Sequence, residues 1–223
     1  MVGIGVFAAS FPVIGLLPDR GFDVAAALLG DLAMLVASWL VATWLVDRAI
    51  FVQGVFVFAG VAGHVMGVLG SHHVVGSIAA LAGCVGIGVL STRACERISW
   101  WIGALGIASV ADFYSVVASS GVTRQLHEDG GSQSLQWLQL WLGEADGTAV
   151  AAIGLIDIVA LGLIFGFVRM QRLPATRALV ALVIAAAVML SIGPYVYSLP
   201  ALPFWTVAIV AAYLPWIRHS RAI

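Results

Sequence analysis

Eight apolar runs follow one another along this chain, and almost every charged residue falls between them rather than inside them. The runs cover residues 2 to 17, 24 to 46, 50 to 70, 74 to 91, 98 to 119, 147 to 168, 178 to 197 and 199 to 217. A helix needs about 20 apolar residues to cross the hydrocarbon of a bilayer. Lipid offers the backbone no hydrogen bonds, so a spanning segment must satisfy its own. The pattern predicts an all-α polytopic membrane protein, a bundle of about eight transmembrane helices. Only 9% of the residues are charged, against roughly a quarter in ordinary globular chains, so no soluble domain is expected among the spans. The first run lacks a basic segment before it and a small-x-small site after it, and is read as a span rather than a removed signal peptide.

All ten basic residues are Arg and none is Lys, which excludes Schiff-base chemistry on a lysine. Cys84 and Cys95 have no metal-ligand spacing around them and read as structural. No metal or cofactor is expected, and a net charge of −1 suggests no nucleic-acid partner. The expected partners are membrane lipid and other transmembrane helices. Arg48, Arg93, Arg97, Arg169, Arg172, Arg177, Arg218 and Arg221 fall on one side of the predicted spans, and Arg20 and Arg124 on the other. By the positive-inside rule both termini are cytoplasmic. Trp44, Trp100, Trp101 and Trp216 fall near the same ends, where amphipathic rings prefer to sit. The expected location is the cytoplasmic membrane of a prokaryote, crossed several times.

The one long loop, about 120 to 146, would then lie outside. In it Leu135, Leu138 and Leu142 recur with Trp137 and Trp141 at helical spacing, which predicts a helix lying on the membrane surface or a loop packed on the bundle. Gly63 with Gly67, and Gly162 with Gly166, form small-xxx-small pairs that let helices approach closely.

Four ionisable residues lie well inside the runs: Asp31, His64, Asp112 and Asp157. A carboxylate buried at membrane depth is costly and marks a functional site by default. Asp112 and Asp157 flank the long loop on consecutive, antiparallel spans. At 1.5 Å per residue they lie about 11 Å and about 15 Å below the outer ends of those spans, deep enough on both to meet. Two carboxylates in one partly dry site cannot both ionise easily, so the pair holds one acid and one base. Water-mediated peptide hydrolysis needs that combination, although proton-coupled transporters also carry buried carboxylate pairs. Between the last two spans stands Gly193-Pro194-Tyr195-Val196-Tyr197-Ser198-Leu199-Pro200-Ala201-Leu202-Pro203. Its three prolines break the helix, and the freed backbone beside the carboxylates could hold an extended substrate, or the segment is a plain outer hairpin.

An Asp in one span, a Gly-x-x-Asp in the next and Pro-Ala-Leu at the head of the last resembles the presenilin and signal peptide peptidase family of intramembrane aspartyl proteases. Leu199-Pro200-Ala201-Leu202-Pro203 resembles the third motif as presenilins write it, and Ile153-Gly154-Leu155-Ile156-Asp157-Ile158-Val159 the second as signal peptide peptidases write it. The resemblance covers about residues 98 to 217. It implies a presenilin-like C-terminal core, residues 98–223 with four spans, preceded by a four-span scaffold, residues 1–97. It further implies that Asp112 and Asp157 are the catalytic pair, and that Gly154, Leu155, Ile156, Pro200, Ala201 and Leu202 shape the substrate cleft. Two positions depart from the family pattern: Ile156 stands where Gly precedes the second Asp, and Ala111 where Tyr precedes the first. A β-branched Ile there would crowd an approaching substrate backbone and lower activity. Asp31 and His64 form a candidate polar pair on the second and third spans. A proton-coupled transporter using all four groups, or a non-catalytic relative that binds membrane helices, remains the alternative.

Overall fold

The structure, a computed structural model, describes residues 2–15, 23–70, 72–118, 138–145, 148–192 and 200–220. Among them are eight helices: α1 (Val2–Gly15), α2 (Asp23–Val46), α3 (Ile50–Leu69), α4 (His73–Thr92), α5 (Ile98–Val117), α6 (Leu155–Met170), α7 (Ala175–Ile192) and α8 (Ala201–Ser220). Between α5 and α6 stands an antiparallel hairpin of β1 (Gln139–Ala145) and β2 (Thr148–Gly154). Five helices, α2 to α5 and α8, are long and apolar enough to cross a membrane. Their outward faces are apolar as well: Phe51, Phe58, Ile107 and Val110 are each more than 70% exposed. Apolar surface on that scale marks a membrane protein.

The hairpin corrects the all-α expectation and the sixth run. Thr148–Gly154 pairs with β1 in a register that sets Ala145 opposite Thr148 and Gln139 opposite Gly154. Helix α6 therefore begins only at Leu155, and Asp157 lies in its first turn rather than at mid-span. A short apolar stretch cannot be told from a buried helical segment by hydropathy alone. The sequence did carry a turn signal, Asp146-Gly147, between the two paired segments. The predicted surface helix is overturned where the structure describes it, because Gln139–Ala145 is a strand. Leu138, Leu140 and Leu142 alternate at a period of two, while Leu135, Leu138 and Leu142 fit a helix, and pairing with β2 decided between them. Residues 120 to 137 of that loop lie outside the described residues, as do 193 to 199 of the proline-rich segment.

Helices α4 and α6 form the middle of the bundle, with α2 against both. Helix α1 packs on α2, α3 packs on α4, α7 lies against α2 and α8, and α5 leans on α8. Strand β1 rests on α1, α2 and α4, and β2 on α2 and the start of α6. Glycine allows these approaches. A Cβ on Gly67 would stand 2.5 Å from the Gly76 Cα across the α3–α4 seam, and one on Gly63 2.8 Å from the Ala79 Cβ. At the α4–α6 crossing, a Cβ on Gly162 would run into the Val85 carbonyl and one on Gly88 into the Val159 carbonyl. Both small-xxx-small pairs thus sit on helix contacts.

Most of the arginines gather at one end of the bundle. There Arg169 pairs with Asp47 at 3.0 Å, and Arg93 Nε donates to Gln53 Oε1. Arg48 lies over Trp44 and Arg177 over Trp216, each guanidinium 4.8 Å from the ring centre. Trp101 departs from the expected belt. It is fully buried and stacked on Phe167 at 4.5 Å, tying the base of α5 to the base of α6.

The crossing makes a testable prediction. Gly162→Ala forces backbone against backbone and should destabilise the protein by about 1–3 kcal/mol. Gly103→Ala, where an added Cβ meets nothing within 4 Å, should stabilise it by up to about 1 kcal/mol. Unfolding in a graded detergent mixture measures both, and equal shifts would mean that the seam does not set the packing.

Candidate active site

The site begins with a problem at the head of α8. The first amides of a helix have no intrahelical acceptor. Pro200, just before α8, has no side-chain oxygen to cap them, and Pro203 has no amide at all. The Leu202 N–H instead donates to Asp112 Oδ2 at 3.1 Å, so a carboxylate from α5 caps α8 from outside. The partial positive charge at a helix N-terminus favours such an anion. One turn further, the Ser109 and Thr206 hydroxyls share a hydrogen bond at 2.6 Å, and Ser109 Oγ also donates to the Leu105 carbonyl. Lower still, Trp101 meets Tyr213 edge to face. Helices α5 and α8 are thereby locked antiparallel in one register, with Asp112 under the Pro200-Ala201-Leu202 segment.

Asp157 stands at the head of α6. Its carboxylate accepts the Gly154 N–H, reaching back from the third helical residue to the residue that precedes the helix. The Leu155 N–H donates to the Leu138 carbonyl at 2.9 Å, which fastens the helix start to the hairpin. A Cβ on Gly154 would lie 3.0 Å from Asp157 Oδ2, so glycine leaves the carboxylate its place. Asp157 is buried, and its Oδ1 has no hydrogen-bond partner among the described residues. Asp112 is near enough for its charge to bear on Asp157. The two carboxylates therefore share one neighbourhood, although the predicted depths do not hold. Asp112 is about 7.5 Å from the end of α5 and Asp157 about 3 Å from the start of α6.

The remaining predicted residues divide. Gly154 touches the carboxylate, and Leu202 reaches the site through its backbone amide. The side chains of Pro200, Ala201 and Leu202 are buried, and Leu155 is half-buried. Ile156 is 58% exposed and turned outward, away from the buried Asp157. Ala111 is exposed too, while Asp112 is half-buried. Asp31 and His64 are not hydrogen-bonded to each other. His64 Nδ1 lies 3.1 Å from the Gly76 carbonyl on α4, and Asp31 is half-buried on α2. Among the described residues no group of three His, Cys, Asp or Glu could hold a metal ion. Both cysteines are buried and unpaired.

Sequence reasoning missed Ser109 and Thr206. The signal was present: Ser109 lies three residues before Asp112 and Thr206 four after Leu202, so each shares a helix face with its site residue. A double-mutant cycle on Ser109→Ala and Thr206→Val should give a coupling of about 0.6 kcal/mol, the usual size between membrane helices. Zero coupling would mean that the hydroxyl pair does not set the register of α5 on α8. No protein-family model, no curated protein and no solved structure matches this chain, so the chemistry of the site rests on the geometry above.

Proposed function

We propose that this chain is an intramembrane aspartyl protease that hydrolyses peptide bonds of transmembrane helices. It would work within a multi-pass bundle whose arginine-rich end and both termini face the cytoplasm. One observation carries the reading. Three separated stretches, Asp112, Gly154 to Asp157 and Pro200 to Leu202, converge through the Leu202 amide on Asp112 and the charge of Asp112 on Asp157. In the proposed reaction one carboxylate takes a proton from water as the water attacks. The other, protonated, polarises the scissile carbonyl and then delivers its proton to the leaving amine. Leu202 holds Asp112 in place through its amide. Strand β2 runs directly into the turn that carries Asp157. An extended substrate segment added along the edge of β2 away from β1, unpaired among the described residues, would pass over that carboxylate.

A second reading has its own observation. Asp157 accepts the Gly154 amide of its own helix, a capping role that a non-catalytic relative binding membrane helices would also keep. A transport path through Asp31 and His64 draws less support, because His64 Nδ1 lies against the Gly76 carbonyl.

Incubating the purified protein in lipid with model transmembrane peptides separates these readings. Wild type should cleave, and Asp112→Asn and Asp157→Asn should each lower the rate by at least about a hundredfold. Cleavage that survives either substitution removes the two-carboxylate mechanism. A wild type that never cleaves, with an Asp157→Asn variant that is merely less stable, supports the cap. Ile156→Gly should change the rate little, because the Ile156 side chain points outward.

A further inference from the structure

The geometry points to a second site at the opposite end of the molecule: a groove between α7 and α8 that holds one acyl chain of an anionic phospholipid, with its phosphate on Arg177 and Arg218. The inference rests on the membrane reading and is independent of proteolysis. The groove has a volume of about 650 Å³, with Val180, Ala181 and Ile184 on one wall and Ala208, Ala211 and Ala212 on the other. Its lining is apolar except at one end, where Thr176 and Arg177 form the rim. Alanines on α8 leave room for a chain between the helices, whereas larger side chains would close it.

Charge selects the occupant. The Arg177 guanidinium rests on the Trp216 ring at 4.8 Å and has no ion pair among the described residues. Arg218 lies seven residues beyond Ala211, two turns along the same face of α8, and is exposed. No Asp or Glu follows Asp157 anywhere in the chain, so neither helix supplies a counter-charge. By contrast Arg169 at the same end is already paired with Asp47. A phosphate is the natural partner for a guanidinium fork left open in this way. Arginine, tryptophan and a threonine hydroxyl at the rim are suited to headgroup level.

Length argues for a lipid over a partner helix. From Thr176 to Ile184 the groove runs about 12 Å along α7, less than half of the roughly 30 Å hydrocarbon core. A crossing helix would need a contact stripe through the whole thickness, whereas an acyl chain belongs to one leaflet. Pro215 adds a feature. It has no amide to return to the Ala211 carbonyl, and Ala211 lines the groove.

Native mass spectrometry of the full chain, released from bilayers of equal phosphatidylglycerol and phosphatidylcholine, tests this. Wild type should retain one phosphatidylglycerol. Arg177→Gln and Arg218→Gln should each weaken the preference about fivefold, while Arg97→Gln at the same end but off the groove should leave it unchanged. Ala211→Leu, which fills the groove, should abolish retention of the lipid. Equal losses from Arg97→Gln and Arg177→Gln would show diffuse attraction and overturn the site. So would retention that survives Ala211→Leu, or a dimer signal that Ala211→Leu removes.

Discussion

Two helices begin inside this protein rather than at a water-facing edge, and their first amides have no acceptor of their own. The candidate site is the solution to that problem. At α8 the flanking residues are prolines, so a carboxylate from α5 supplies the acceptor. At α6 the acceptors are Asp157, for the Gly154 amide, and the carbonyl of Leu138, for the Leu155 amide. Each carboxylate is held where a helix N-terminus favours negative charge. The charge of Asp112 bears on Asp157, which brings the two carboxylates into one neighbourhood. The helix starts and the candidate site thus draw on the same groups.

The rest of the bundle sets where each carboxylate stands. Backbone-to-backbone contact at Gly88 and Gly162 fixes α6 against α4. Helix α5 does not pack on α6 in the same way. It leans on α8, and the Trp101–Phe167 stack bridges it to α6 at the far end. Large rings at the base and the Asp112 cap near the top hold α5 along α8. Most of its surface is exposed and apolar, as Ile107 and Val110 illustrate.

The hairpin shows where hydropathy stops being informative. Residues 147 to 168 read as one span because a strand of Ala, Val and Ile is as apolar as a helix. The same ambiguity lay in Leu135 to Leu142, where Leu138 and Leu142 belong both to a helical set with Leu135 and to an alternating set with Leu140. Only the presence of the partner strand resolved it, and the partner is a tertiary fact. The consequence reaches the site, since ending the strand at Gly154 moves Asp157 from the middle of a helix to its start. Ile156 changed meaning for the same reason. Beside an Asp in a helix it looked like an obstacle, but its direction depends on which face α6 buries.

Much of this protein was legible in its residues. The alternation of apolar runs with charged breaks determined α2 to α5 nearly to the residue, because burial of a helix in an apolar medium leaves that mark on every position. The glycine pairs announced two helix contacts, because only a missing side chain allows so close an approach. Gathering the arginines at one end followed from counting. Which carboxylate caps which helix was not written in any local stretch. Asp112 meets Leu202 across ninety residues of chain, and that contact exists only because α8 folds back along α5 in one register.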